Sequence, residues 1–142
     1  MNSHPTHGIL VRADERRLLM FLGILGCIAL ADTIIITIHH FIPGPPPDFA
    51  YSFGIPTAPV GIPLYLVIIG LIFCCIRYHK AVLFRILFAL LTFEFVVAIL
   101  AFYQQTFVLQ FFCEYAYLYV TVSVLMFIIA LILIRVRRTG MD

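Results

Sequence analysis

The sequence predicts an all-α integral membrane protein, a bundle of four transmembrane helices, and three observations lead to this fold class. The 142 residues are 63% hydrophobic and only 11% charged, which excludes an ordinary water-soluble surface. Four long apolar stretches are suited to cross the ~30 Å hydrocarbon layer as helices. All nine Lys and Arg residues lie near the ends of these stretches. If successive stretches cross the membrane in opposite directions, all nine fall on the same side of the membrane. Because cytoplasmic loops retain positive charge, both termini are expected to be cytoplasmic.

The basic residues form three short clusters. One cluster precedes the first stretch, one lies at the turn between the second and third, and one follows the fourth, whereas the first and third connections contain no Lys or Arg. The members are Arg12, Arg16 and Arg17; Arg77, Lys80 and Arg85; and Arg135, Arg137 and Arg138. They form no stripe along one helix, so the net charge of +2 does not indicate nucleic-acid binding.

The chain is divided into a cytoplasmic tail, one transmembrane domain and a second cytoplasmic tail. Their bounds are about 1–17, 18–134 and 135–142, with spans at about 18–41, 62–76, 81–103 and 113–134 and an outer loop at 42–61. The polar N-terminal segment and the long first stretch are atypical of a cleaved signal peptide. The first span is therefore expected to remain, in a multi-pass protein of the inner cell membrane.

Local composition predicts some details of the spans and the outer loop. The loop is rich in proline and glycine, which favours an ordered, partly extended backbone rather than a helix. Pro63 is expected in the first turn of the second span, where its missing donor costs little. Gly23, Cys27 and Ala31 recur at four-residue intervals, a pattern that lets another helix approach closely.

Two carboxyl groups lie deep within the spans, whereas that of Glu114 lies at the membrane edge. Asp32 and Glu94 are each about 20 Å from the inner ends of their helices, in the outer half of the membrane. A charge near mid-membrane costs at least about 2.5 kcal/mol, and no Lys or Arg lies at that depth. His39 follows Asp32 by seven positions on nearly the same face, about 10 Å further out. The two residues are interpreted either as structural polar groups, as groups facing a partner helix, or as a proton relay.

No metal site is predicted. His39 and His40 are neighbours, so their side chains point about 100° apart on a helix and do not form a natural ligand pair. The sequence has no tetrahedral set of His and Cys at the usual spacing, no phosphate-binding glycine loop and no nucleophile elbow.

Three segments carry a resemblance to a known family. They are GILGCIALADTIIITIHH in the first span, FGIPTAPVGIPLYLVIIGL at the second, and FFCEYAYLYVTVSVL at the fourth. Together they resemble the bacterial vitamin K epoxide reductase (VKOR) family, over all four spans from about Gly23 to Ser123. The run from Phe53 to Pro56, followed by Gly61 and Tyr65, is the most specific part.

The resemblance implies an enzyme scaffold, but the redox residues depart from the family pattern. Family members are four-helix membrane enzymes that oxidise thiols of a partner and pass the electrons to a quinone. They use a Cys-x-x-Cys pair at the outer end of the fourth helix and a second pair in the outer loop. Here Cys113 has Ala116 in place of the second thiol, and residues 42–53 contain no cysteine. Since disulfide exchange needs one attacking and one resolving thiol, the cycle is expected to fail.

The other cysteines are not expected to substitute for the missing thiol. Bridged cysteines need Cα atoms about 4.4–6.8 Å apart. Cys27, Cys74 and Cys75 are predicted about 15 Å or more from Cys113 along the membrane normal. Cys113 is therefore interpreted as a residual redox position and not as a working catalytic residue.

The leading functional hypothesis is a catalytically degenerate VKOR-like protein, an accessory or structural subunit of a larger membrane complex. By extrapolation from the family, the host is a respiratory or photosynthetic complex, and the partners are the lipid bilayer and other integral membrane subunits. The alternative is a quinone-linked thiol oxidoreductase or a quinone-binding protein. Its pocket is expected at Phe53, Pro56, Cys113, Tyr115 and Tyr119.

A transporter or channel is the third hypothesis. Asp32, Glu94 and Glu114 supply carboxylates, but the sequence shows no inverted repeat and no broken helix near mid-membrane.

Overall fold

The computed structural model describes residues 5–42, 51–52, 55–110 and 114–139, and most of them are helical. In chain order the elements are α1 (Pro5–Phe41), β1 (Tyr51–Ser52), β2 (Ile55–Pro56), α2 (Thr57–Tyr78), α3 (Ala81–Tyr103), a π-helical segment (Gln104–Val108) and α4 (Glu114–Thr139). Each of the four α-helices is long and apolar enough to cross a membrane. The expected all-helical class with four apolar helices is confirmed, and the chain has the architecture of a multi-pass membrane protein.

Two helices begin earlier than the sequence pattern predicts. α1 starts at Pro5, because the polar run before the first apolar stretch contains Ala, Glu and Arg, which favour helix. α2 starts at Thr57, so Pro59 lies in its first turn and Pro63 in its second. The prediction that Pro63 lies in the first turn was therefore wrong. Its missing N–H removes the bond that would reach the carbonyl of Pro59.

The helices pack as antiparallel neighbours around an apolar core. α1 contacts both α2 and α4, and α3 packs mainly on α4. The glycine at position 26 is buried, and a Cβ added to it would meet Ile69 of α2 at 3.2 Å and Met126 of α4 at 3.8 Å. The absence of a side chain there lets three helices approach closely. The largest fully buried aliphatic side chains are Leu19, Leu22, Ile68, Leu91 and Met126.

One end of the bundle, here called the basic end, collects all three basic clusters. α1 and α3 begin at this end, and α2 and α4 finish there. Arg137 of α4 links the elements: its Nε lies 3.6 Å from Glu15 Oε1 of α1, and its guanidinium donates to the carbonyl of His79 at 3.3 Å. The guanidinium carbon also lies 3.6 Å from the ring centroid of Phe84 in α3.

The opposite end, here called the hairpin end, carries the two short strands. β1 pairs with β2 in antiparallel register, with Tyr51 opposite Pro56 and Ser52 opposite Ile55. The extended backbone agrees with the partly extended loop that its proline and glycine content predicts. At the same end α3 continues beyond Tyr103 as the π-helical segment.

Candidate functional site

Four side chains from three helices form a buried group, here called the polar cluster: Tyr65, Glu94, Tyr119 and Ser123. Tyr65, Glu94 and Ser123 are fully buried. The Tyr65 hydroxyl donates to Glu94 Oε1 at 2.5 Å, and the Ser123 hydroxyl bonds the same oxygen. The Tyr119 side chain lies beside Tyr65 and interacts with Glu94. The two tyrosine rings meet edge to face, with centroids 6.4 Å apart.

Helix geometry brings these residues to one level. Tyr65 lies eight residues after the start of α2, Glu94 nine residues before the end of α3, and Ser123 nine residues after the start of α4. At 1.5 Å per residue, each is about 12–14 Å from the hairpin end of its helix. Antiparallel helices of matched length therefore place the three polar groups side by side.

The surroundings of Glu94 favour an uncharged carboxyl group. The Ser123 hydroxyl bonds both Glu94 Oε1 and the carbonyl oxygen of Tyr119, the latter at 2.9 Å. A serine hydroxyl has one proton and donates fully to one acceptor at a time, and a backbone carbonyl never donates. The Ser123 hydroxyl therefore donates either to Glu94 or to the Tyr119 carbonyl, and in the second case a proton on the carboxyl group satisfies the Glu94 contact. A neutral carboxylic acid is compatible with this geometry. It also agrees with the hydrogen-bond partners of Glu94, which include no Lys, Arg or His among the described residues.

Two carboxyl oxygens beside the polar cluster have no hydrogen-bond partner among the described residues. They are Oε2 of Glu94 and Oδ2 of Asp32. Asp32 is 3% exposed and lies nine residues before the end of α1, which is again about 14 Å from the hairpin end. It interacts electrostatically with Tyr119. All four helices thus contribute a polar residue at this level.

Gly61 allows α1 and α2 to approach at this end. A Cβ added to Gly61 would lie 3.0 Å from Cγ2 of Thr33, the residue after Asp32. A larger residue would push the two helices apart, so the glycine that follows the FGIP run has a packing role.

The structure separates Asp32 from His39. Asp32 is buried, whereas His39 is exposed near the end of α1. The seven-residue spacing puts them on one helix face, but this face leaves the bundle's packed interior before it reaches His39. The proton relay between them stays a prediction.

The residues proposed to line a quinone pocket fall into three groups. Phe53 and Cys113 lie outside the described residues. Pro56 belongs to β2 through its backbone pairing with Tyr51. Among the α4 residues, Tyr119 packs into the polar cluster, whereas Tyr115 is 38% exposed.

The described cysteines are far from the motif at the start of α4. Cys75 is buried one turn before His79, at the basic end, level with Arg137. Ala116 precedes Arg137 by 21 residues, which corresponds to about 32 Å of helix. Cys27 is exposed and follows Gly26, which lies level with Met126 of α4. Met126 is ten residues after Ala116, which corresponds to about 15 Å of helix. Cys27, Cys74 and Cys75 are all free thiols. None has its Cα within about 4.4–6.8 Å of the Cα of Ala116, the separation that a disulfide to this position would need.

Sequence reasoning did not assign Tyr65 and Ser123 to a site. The available signal was their depth: two hydroxyl groups at the same distance from their helix ends as Asp32 and Glu94. Over the described ranges, no three His, Cys, Asp or Glu residues are grouped closely enough to hold a metal ion.

Fold and site together define a class: a helical multi-pass membrane protein with a hydrogen-bonded polar cluster in its interior. No family model, curated protein or solved structure matches the chain. The resemblance to VKOR enzymes therefore depends on the sequence motifs alone.

Proposed function

We propose that this chain is a catalytically degenerate relative of the VKOR enzymes that acts as an accessory or structural subunit of a larger membrane complex. The observation that carries the proposal is the separation of its thiols. Cys75 lies at the opposite end of the bundle from Ala116, which occupies the position of the second redox thiol.

Electron balance supports the loss of catalysis. Oxidation of a dithiol releases two electrons and two protons, which the enzyme accepts by opening its own disulfide and passes to the quinone when that disulfide re-forms. With Cys113 as the single sulfur of the motif, a mixed disulfide with a substrate has no second enzyme thiol to resolve it. The scaffold is retained in this account, and the reaction is not.

The interior of the bundle also supports a structural role. Tyr119 would border the quinone by family resemblance, but here its ring packs on Tyr65 and its hydroxyl lies beside Glu94. Hydrogen bonds between helices hold a bundle together in a bilayer, where no water competes for the donors. The polar cluster therefore joins α2, α3 and α4.

The surface of α1 and α2 supports the subunit role. Inside the bundle, the buried Gly26 and Ala29 of α1 let the neighbouring helices approach closely. Cys27, Ala31 and Gly70 are exposed, and a Cβ added to Gly70 would meet no atom within 4 Å. Because small residues let membrane helices pack closely, these exposed positions on α1 and α2 are suited to contact helices of other subunits.

The charge distribution supports an orientation. If the basic end is cytoplasmic, as retention of Lys and Arg in cytoplasmic loops favours, both termini lie inside and the short strands lie outside. The proposed location is the inner cell membrane, and a respiratory or photosynthetic complex is the proposed host.

Purification from native membranes in mild detergent tests the subunit role. The tagged chain is expected to co-purify with defined integral membrane polypeptides in a fixed ratio. Ala31→Leu and Gly70→Leu should reduce this association, whereas Ala89→Leu, on the exposed surface of α3, serves as a matched control. Recovery of this polypeptide alone, or an equal effect of all three variants, would contradict the proposal.

Quinone binding without turnover is the alternative function. It is favoured by one carboxyl oxygen each of Asp32 and Glu94, which lie near the Tyr119 ring and have no hydrogen-bond partner in the described part of the chain. Ligand sites combine apolar walls with a few such polar groups. Saturable binding of a quinone that Tyr119→Phe weakens and Tyr103→Phe preserves would favour this alternative, and absence of saturable binding would remove it.

A further inference from the structure

A groove between α3 and α4 opens at the basic end, far from the polar cluster. Its volume is about 470 Å³, within the range of about 300–1,000 Å³ typical of ligand pockets. We propose that this groove binds one acidic phospholipid, with an acyl chain between the helices and the phosphate at Arg85 and Arg138. The proposal is independent of the function proposed for the whole chain.

The walls of the groove are apolar and fit hydrocarbon. Phe84, Leu87 and Leu91 line one side, and Ala130 and Leu133 line the other. From Phe84 to Leu91 the groove extends about 10 Å along α3. One leaflet of the hydrocarbon core is about 15 Å thick, so the groove matches a large part of one acyl chain.

The mouth of the groove carries two unneutralised charges. Arg85 and Arg138 line it, both are exposed, and neither has an ion pair or hydrogen bond within the part of the chain that the structure describes. Arg137 also lines the groove but is engaged by Glu15, by the His79 carbonyl and by the Phe84 ring. No Asp or Glu lines the groove, so its mouth favours an anion.

An acidic phospholipid uses both features. Guanidinium groups bind phosphate oxygens by charge-assisted hydrogen bonds, often bidentate. Basic pockets between membrane helices are suited to anionic head groups, with about 1 kcal/mol per Lys or Arg. A soluble phosphate would leave the apolar walls uncovered. A choline headgroup would bring its own cation to the two arginines.

Native mass spectrometry of the full chain in detergent tests the site. Phosphatidylglycerol and phosphatidylcholine with identical acyl chains are titrated against the wild type, Arg85→Gln, Arg138→Gln and the double variant. Each arginine is expected to contribute about fivefold to phosphatidylglycerol affinity, following the free energy per charge. Arg77→Gln removes the same charge at the same end, outside the groove, and is expected to change affinity less than twofold.

Two further arms distinguish a lipid in the groove from attraction by charge alone and from binding of a free phosphate. Ala81→Trp, at the groove's exposed edge, should reduce phosphatidylglycerol binding without removing a charge. Glycerol 3-phosphate at millimolar concentration should not displace the lipid. Equal affinity for the two lipids, an equal loss in Arg77→Gln, or displacement by the soluble phosphate would each overturn the proposal.

Discussion

The two ends of the bundle each bury a glutamate, and they satisfy it by different means. Glu94, in the half near the hairpin end, is fully buried among hydroxyl groups of Tyr65, Ser123 and Tyr119. Glu15, at the basic end, lies 3.6 Å from Nε of Arg137 and 3.8 Å from Nδ1 of His79. Neutral hydroxyl groups surround the first carboxyl group, whereas the guanidinium of Arg137 faces the second.

The contrast follows from how well each environment solvates an ion. Near a membrane interface, Arg137 keeps partial contact with water while its guanidinium group stacks on the ring of Phe84. Deep in the bundle an ion is costly, and a carboxylic acid bonded to hydroxyl groups avoids this cost. The stability of the hairpin half is therefore expected to depend on hydrogen bonds. That of the basic half is expected to depend on an ion pair that salt can screen.

Replacement of Glu94 by alanine should have the largest effect. It removes the shared acceptor of two buried hydroxyl groups and leaves a cavity, which together cost about 3 kcal/mol of the free energy of unfolding. Glu94→Gln, which resembles the neutral acid, should cost less than about 1 kcal/mol. Unfolding in mixed micelles measures both. A glutamine variant as unstable as the alanine variant would refute the neutral acid.

Replacement of Gly26 by leucine should have the next largest effect. The new side chain would collide with Ile69 and Met126, and overpacking of this kind costs about 1–3 kcal/mol. Gly70→Leu is the matched control, because nothing lies within 4 Å of its Cβ position. The isolated chain should keep its stability in the control and lose it in Gly26→Leu. Equal losses would contradict the observed helix packing.

Glu15→Gln should have a smaller, salt-dependent effect. Glu15 is buried but Arg137 is partly exposed, so the contribution of this ion pair is expected at the upper end of the range for exposed pairs, about 1 kcal/mol. The loss of stability should shrink between 0.01 and 1 M salt, since the Debye length falls from about 30 to 3 Å. The cost of Glu94→Ala should not change with salt. A salt-dependent Glu94 effect would mean that this carboxyl group is charged.

Ser123→Ala should have the smallest effect, about 0.6 kcal/mol, the average for a hydrogen bond between membrane helices. Glu94 keeps its bond from Tyr65 in this variant, so the polar cluster stays assembled. The same unfolding measurement applies. A loss as large as that of Glu94→Ala would show that Ser123 holds the cluster together.

The helices and the end that gathers the charges were predictable, because apolar length and Lys and Arg position act locally along the chain. Asp32 and Glu94 stood out for a similar reason: a carboxyl group in an apolar run is rare. Tyr65 and Ser123 did not, because tyrosine and serine occur in many spans without a partner. Their role depends on which helices are neighbours, and the order of spans alone does not fix this.

Helix boundaries were predicted less well, as Pro63 shows. The sequence gives no sign that α2 extends back to Thr57, because residues 57–61 combine two glycine or proline positions with apolar side chains. Contact with α1 at Gly61 supports that early turn, and such tertiary packing overrides local propensity.

Quinone-coupled dithiol oxidation tests the central claim most directly. The purified chain in lipid is supplied with a reduced dithiol peptide and a quinone, and reduction of the quinone is followed optically. A lone sulfur predicts a rate equal to that of Cys113→Ala, at the uncatalysed background. Sustained reduction above that background, with a disulfide at Cys113 appearing and disappearing during turnover, would contradict the account.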